Sequence, residues 1–272
     1  MSNLFEVLKK LISAYYDKGI PRAAAALSYY MTMTLFPLII CLYSLLGKNY
    51  TRVLEALELL SQFISSDITH VLHSFLDHIA SSSSNAILVA GLMVLLTSAS
   101  AGVRSLQITI GEMQGGMRYQ GLAGLLFSLA FSVVFVAAIY FAILVIFTGR
   151  DFLQMLNGWL PFIDIRNSWQ WIRVLLLAGI LYVILWAVYT VSKRRTDRYR
   201  TSPGAVFAMM GIVVMSDVFS AFIAASARYP LVYGSLASMI LLMFWLFLSC
   251  QIIYLGAALN LAVRDVYGDR KH

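Results

Sequence analysis

Charge is scarce in this chain of 272 residues: Asp, Glu, Lys and Arg make up 12% of it, about half the share of a soluble globular domain. That is too little to clothe a water-soluble surface. A disordered chain is excluded as well, because 60% of the residues are hydrophobic and so much apolar surface must be buried in lipid or in a core. Cysteine is almost absent. Cys41 and Cys250 both lie inside apolar runs, which excludes a disulfide scaffold and leaves two small buried hydrophobes. Histidine is rare too, at four residues. Glycine-rich stretches give no phosphate loop, for Gly111, Gly115, Gly116 and Gly121 lack the Lys and Ser/Thr that a P-loop places after its glycines. No serine or cysteine has a His and a carboxylate in a recognisable motif. The expectation is a protein without enzymatic activity and without a cofactor.

What the chain does have is long apolar runs. A helix needs about 20 mainly apolar residues to cross a hydrocarbon layer about 30 Å thick, and six stretches come near that length, at 24–46, 86–104, 122–147, 174–191, 204–225 and 236–263. The predicted fold is therefore all-α, a polytopic membrane protein with six transmembrane helices. The second run weakens into Thr97, Ser98, Ser100 and Gly102 but continues past Arg104 as Leu106, Ile108 and Ile110; it either leaves the membrane near Arg104 as an interfacial helix or is broken there.

The basic residues decide the orientation, since Lys and Arg collect in short cytoplasmic loops. One side would hold Lys9, Lys10, Lys18, Arg22, Arg118, the run Lys193, Arg194, Arg195, Arg198 and Arg200, and Arg264, Arg270 and Lys271. The other holds only Lys48, Arg52, Arg150, Arg166, Arg173 and Arg228. Both termini are thus expected in the cytoplasm. The net charge of +7 then reads as topology and contact of the 193–200 run with anionic lipid, and not as nucleic-acid binding, which would call for interleaved aromatics or a known module.

Two segments outside the spans are amphipathic. Residues 1–22 place Leu4, Leu8, Leu11 and Tyr15 on one face, with Glu6, Lys9, Lys10, Ser13 and Asp17 elsewhere, the pattern of an interfacial helix. They precede a six-helix domain over 23–265 and a tail over 266–272. Within the domain, 47–85 carries Val53, Leu57, Leu60, Ile64, Val71 and Phe75 at spacings of three, four or seven, an outer amphipathic segment able to cover a cavity. In it His70, His73, Asp77 and His78 have too loose a spacing for a metal site and read as the polar side of a helix.

Three stretches resemble the YihY/BrkB family of bacterial inner-membrane proteins. The C-terminal one runs from Tyr233-Gly234-Ser235-Leu236 to Leu255-Gly256-Ala257-Ala258-Leu259-Asn260. Near the start stand Ala23 to Ala26, Leu27-Ser28-Tyr29-Tyr30 and Phe36-Pro37, and in the middle Gly102-Val103-Arg104-Ser105-Leu106-Gln107. The resemblance implies six membrane helices in the bacterial inner membrane. It departs at Ala258, where the family usually has glutamate. Some relatives are described as tRNA-processing ribonucleases, but the only loose His cluster here would lie on the outer side, away from tRNA.

Ionisable residues inside spans are the sharpest functional candidates, because one at mid-bilayer costs about 2.5–3.5 kcal/mol on insertion scales and survives at pairs, interfaces or wet cavities. Asp217 stands in the fifth span with Arg228 eleven residues on; it either meets substrate or pairs with a neighbouring helix. Arg104 either binds a phosphate or carboxylate, or anchors at the headgroups. Tyr233 and Asn260 complete the substrate-binding candidates. Pro37 is expected to kink the first span and open room beside Thr32 and Thr34. The expected function is translocation or accommodation of an anionic amphipathic, lipid-like envelope substrate in an intramembrane cavity, with membrane lipids as partners. The rival is a scaffold for envelope assembly, working with a second copy or another envelope protein.

Overall fold

The computed structural model describes residues 2–46, 85–116, 121–157, 165–193, 199–225 and 235–267. Seven α-helices lie among them, with no strand: α1 Ser2–Asp17, α2 Ile20–Leu46, α3 Asn85–Met113, α4 Gly121–Asn157, α5 Ile165–Ser192, α6 Ser202–Ala225 and α7 Ser235–Tyr267. Five include segments long and apolar enough to cross a membrane, namely Val89–Met113, Gly121–Ala142, Val174–Ser192, Ser202–Ile223 and Met239–Val266. The expected outer segment over 47–84 lies outside the described residues.

Helices α2 to α7 form a ring in chain order. Each packs on the next and α7 closes on α2, while α3 also touches α5 and α7 across the ring. One apolar core joins Ile20, Ile110, Tyr189, Ala205 and Leu261, so the beginnings of α2 and α6 and the ends of α3, α5 and α7 share one face of the bundle. Lys193, Arg200 and Arg264 stand at the same end, here called the basic face.

The helix boundaries have local causes. Gly19 adopts φ +61°, a left-handed conformation that glycine enters without a Cβ penalty. Its N–H donates to the Tyr16 carbonyl at 3.2 Å, and its own carbonyl accepts from Ala23 N–H at 3.1 Å, so one residue ends α1 and starts α2. Of the two expectations for the second span, the break does not occur, for α3 runs on through Arg104 to Met113. Leu106, Ile110 and Met113 bury in the core with Ile20, Ala24 and Leu27, and that burial carries the helix through the weak Ser/Gly stretch. Pro37 lies inside α2 and is buried. No room opens beside Thr32 and Thr34: both are buried, and their hydroxyls donate to Ser28 and Tyr30 carbonyls at 2.8 and 2.7 Å.

Helix α1 has three faces. Leu11, Ala14 and Tyr15 pack on the main core, Val7 packs with Ala262 and Val266, and the Tyr15 hydroxyl donates to Gln251 Oε1 at 3.0 Å. Phe5, Leu8, Ile12 and Tyr16 are exposed at the spacing of one helical stripe. Lys9, Lys10 and Asp17 are exposed as well. The predicted apolar face is thus divided, with Leu11 and Tyr15 spent on α7 and Leu8 left outward.

Candidate functional site

Two clusters of polar side chains lie toward the basic face. The first is the crossing of α6 and α7 near the basic face. Gly204 N–H donates to Asn260 Oδ1 at 2.7 Å. This satisfies a first-turn amide that has no partner within its own helix, while the hydroxyl of Thr201, which precedes α6, is hydrogen-bonded to that of Thr190 at 2.8 Å. The two helices approach closely enough that a Cβ on Gly204 would collide with the Gly256 carbonyl and come within 2.5 Å of Asn260 Nδ2. On Gly256 a Cβ would stand 2.6 Å from the Tyr189 hydroxyl, which itself donates to the Ile253 carbonyl at 2.6 Å. Small residues therefore let backbones meet here, as is usual for helix pairs in lipid. Asn260 is 2% exposed, and its Nδ2 finds no partner among the described residues.

The second place is the seam between α3 and α7. Val94, Ser98, Ala101, Ser105 and Thr109 recur every three or four residues and share one face of α3. Exposure falls along that stripe, from exposed Val94 through half-buried Ser98, Ala101 and Ser105 to buried Thr109, over about 22 Å at 1.5 Å per residue. On α7 the order is the same toward the basic face: Met239, Ile240 and Met243 are exposed, Phe247 is half-buried, and Cys250 and Tyr254 are buried. Tyr254, fully buried, turns its hydroxyl toward those of Thr109 and Ser105 without a hydrogen bond of good geometry to any described group. A buried hydroxyl left so costs about 1–3 kcal/mol. Arg104, next in the chain to Ser105, is half-buried, and it lies nine residues, about 13 Å, before the end of α3. No described acidic residue pairs with it, the only ion pair among the described residues being Arg264 with Asp265 at 2.8 Å.

The sequence candidates are not all brought together. Arg104 stands half-buried on α3, in the part of that helix nearer the basic face. Asp217 is exposed on the pole of α6 opposite its packed stripe of Gly204, Ala208, Met215 and Phe219, facing away from α5 and α7. Asn260 is committed to the α6 cap. Arg228 and Tyr233 lie outside the described residues, as do Arg194, Arg195, Arg198 and the cluster at His70 to His78. Lys193 donates to the Tyr199 carbonyl at 3.0 Å and stacks over the Tyr199 ring at 5.2 Å, with Arg264 5.6 Å from the same ring; Arg200 is exposed. Among the described residues no three His, Cys, Asp or Glu side chains gather as metal ligands would. Tyr254, Ser105, Thr109 and Tyr189 escaped the sequence reading, since hydroxyls in an apolar run look the same whether they bond their own helix or face a neighbour.

Comparison with known proteins agrees with this membrane architecture. The family described as Virulence factor BrkB matches residues 11–272. A UPF0761 membrane protein of Histophilus somni (strain 129Pt) is 22% identical over 284 aligned positions, covering 98% of this chain and 94% of that one. YfkH of Bacillus subtilis (strain 168), whose name describes it as ribonuclease-like, is 25% identical over 256 residues, 93% of each chain. A UPF0761 membrane protein of Aromatoleum aromaticum is 33% identical over 84 residues, 31% of this chain and 20% of its own length. No solved structure matches.

Proposed function

Because the chain belongs to the BrkB virulence-factor family, and is a multi-pass membrane protein like its UPF0761 relatives, we propose that it translocates or accommodates an anionic amphipathic, lipid-like envelope substrate without catalysing a covalent reaction. The carrying observation is a gradient of exposure along the facing stripes of α3 and α7: Thr109, Cys250 and Tyr254 are buried toward the basic face, and Val94, Met239, Ile240 and Met243 are exposed away from it. A wedge that opens away from the basic face would admit acyl chains between helices and hold a headgroup at its narrow end. Arg104 is the charge nearest that end, and Arg228 and Tyr233 would contact substrate at the wide end. The surplus of Lys and Arg supports a basic face on the cytoplasmic side of a bacterial inner membrane, where the 193–200 run would meet anionic headgroups. A sixth span, α2, completes the ring.

No nucleotide-binding motif is present, so directed transport would draw on an ion gradient or a partner. The ribonuclease-like name of YfkH belongs to that protein, and this chain's described residues assemble no nuclease site. The test is reconstitution into liposomes with a fluorescent anionic lipid analogue. Exchange between leaflets should run faster than in protein-free vesicles; equal rates would overturn the carrier reading. They would favour the scaffold alternative, to which outward-facing Asp217 already lends support as a contact for a second copy or another envelope protein.

A further inference from the structure

Helix α6 carries an acidic group where acyl chains offer it nothing. Asp217 lies inside the span Ser202–Ile223, about 22 Å from its first residue and about 9 Å from its last at 1.5 Å per residue. It is exposed, on the pole turned away from α5 and α7, and its side chain is too short to reach the headgroups as a lysine or arginine does. Among the described residues the one ion pair is Arg264 with Asp265, so Asp217 has none there. An ionisable group at such a depth is costly and persists where something polar meets it.

The rest of the pole has the form of a helix seam. Pro203, Val206, Met210, Val213, Asp217 and Ser220 are all exposed, and their spacings of three and four alternate over about 26 Å, as in a seam that faces a like helix, where a polar member fixes register. Its two polar members stand one turn apart, an acceptor and a donor. Ser216 is spent on the Ile212 carbonyl at 2.8 Å, whereas neither Asp217 nor Ser220 enters a side-chain hydrogen bond among the described residues. Two copies inserted the same way up, about a two-fold axis along the membrane normal, bring their α6 helices parallel and in register. The second copy's Ser220 then comes one turn from Asp217, and the reverse holds equally. The two carboxyl groups meet at one depth, where one that keeps its proton donates to the other. A helix of another protein would have to place a donor at this depth, and a second copy does so by symmetry. We infer that the outward pole of α6 is a docking surface for a second copy of this chain, with Asp217 and Ser220 as the polar register of a parallel α6–α6 contact. That contact stands whether or not the wedge carries lipid, because the pole faces away from α7.

Oxidative crosslinking of the full-length chain, in the membranes in which it is expressed, tests the contact. Val213→Cys should give a covalent dimer. Val134→Cys, on the exposed side of α4, should give no more than wild type, whose Cys41 and Cys250 are buried. In detergent, Asp217→Leu should raise the dimer's dissociation constant roughly tenfold, the size expected when a polar contact in lipid is lost on both sides of a symmetric pair. Asp217→Asn keeps a hydrogen-bonding group and should raise it less. The thermal midpoint of monomeric Asp217→Leu should not fall, since leucine suits acyl chains better than aspartate; if it does fall, the crosslink at position 213 decides alone. Crosslinking at 213 no greater than at 134 would overturn the proposal. So would a crosslink from 213 only to a different protein, or an Asp217→Leu variant that keeps its fold and dimerises like wild type.

Discussion

Gly204 shows how a single atom sets the contact of two helices. Any side chain there meets the Gly256 carbonyl and the Asn260 amide, neither of which can swing aside without opening the cap on α6. Gly204→Ala is expected to destabilise the protein by about 1–3 kcal/mol, the usual range for overpacking, read as a lower thermal midpoint in detergent. Gly179→Ala supplies the contrast. No atom lies within 4 Å of its would-be Cβ, and the gain in helix propensity should leave stability equal or raise it by up to about 1 kcal/mol. That an amide in an apolar run, such as Gln251 or Asn260, has to bond across to another helix is legible in the sequence, because it has no water to bond. The side of α6 that bears Asp217 was not. When every face of a helix is apolar, composition cannot tell the packed stripe from the exposed one, and Asp217 stands on the exposed one.

At the level of elements, α1 and α3 carry the lessons. The amphipathic pattern of α1 was readable, but its apolar residues serve two surroundings, a protein partner through Val7, Leu11 and Tyr15 and an open stripe from Phe5 to Tyr16. Periodicity gives the width of an apolar face and not what covers it. The turn at Gly19 holds α1 in place. Gly19→Ala forces a side chain into the left-handed region at about 1–2 kcal/mol, with the Arg22 guanidinium 3.3 Å from the new Cβ. The amides of α1 should then exchange hydrogen faster than in wild type, and Gly19→Asn, which tolerates that conformation better, should fall between. Unchanged exchange in Gly19→Ala would mean that packing on α7 alone holds α1. In α3 the local Ser/Gly weakness left open a break near Arg104 or a helix that runs on, and tertiary burial of Leu106 and Ile110 decides for the continuous helix. Local propensity is a weak guide where neighbours supply the driving force.

Across the described residues, α2 to α7 close a ring in chain order, and the stripes of α3 and α7 pass from buried near the basic face to exposed away from it. The all-helical membrane fold followed from hydropathy, five helices being long and apolar enough to cross a membrane, whereas this gradient did not, because burial depends on which helices face each other. A wedge wet enough to hold an anion makes a claim about water. Single cysteines at Val94, Ile110 and Val214 can test it with a charged, membrane-impermeant thiol reagent, since reaction needs a hydrated thiolate; the buried natural Cys41 and Cys250 set the baseline. Val94→Cys should react from the side away from the basic face, Ile110→Cys should stay silent from both sides, and Val214→Cys, on the outward pole of α6, should be silent in lipid. Silence at position 94 equal to that at 214 would show that the ring has no water-filled wedge and would contradict the carrier reading.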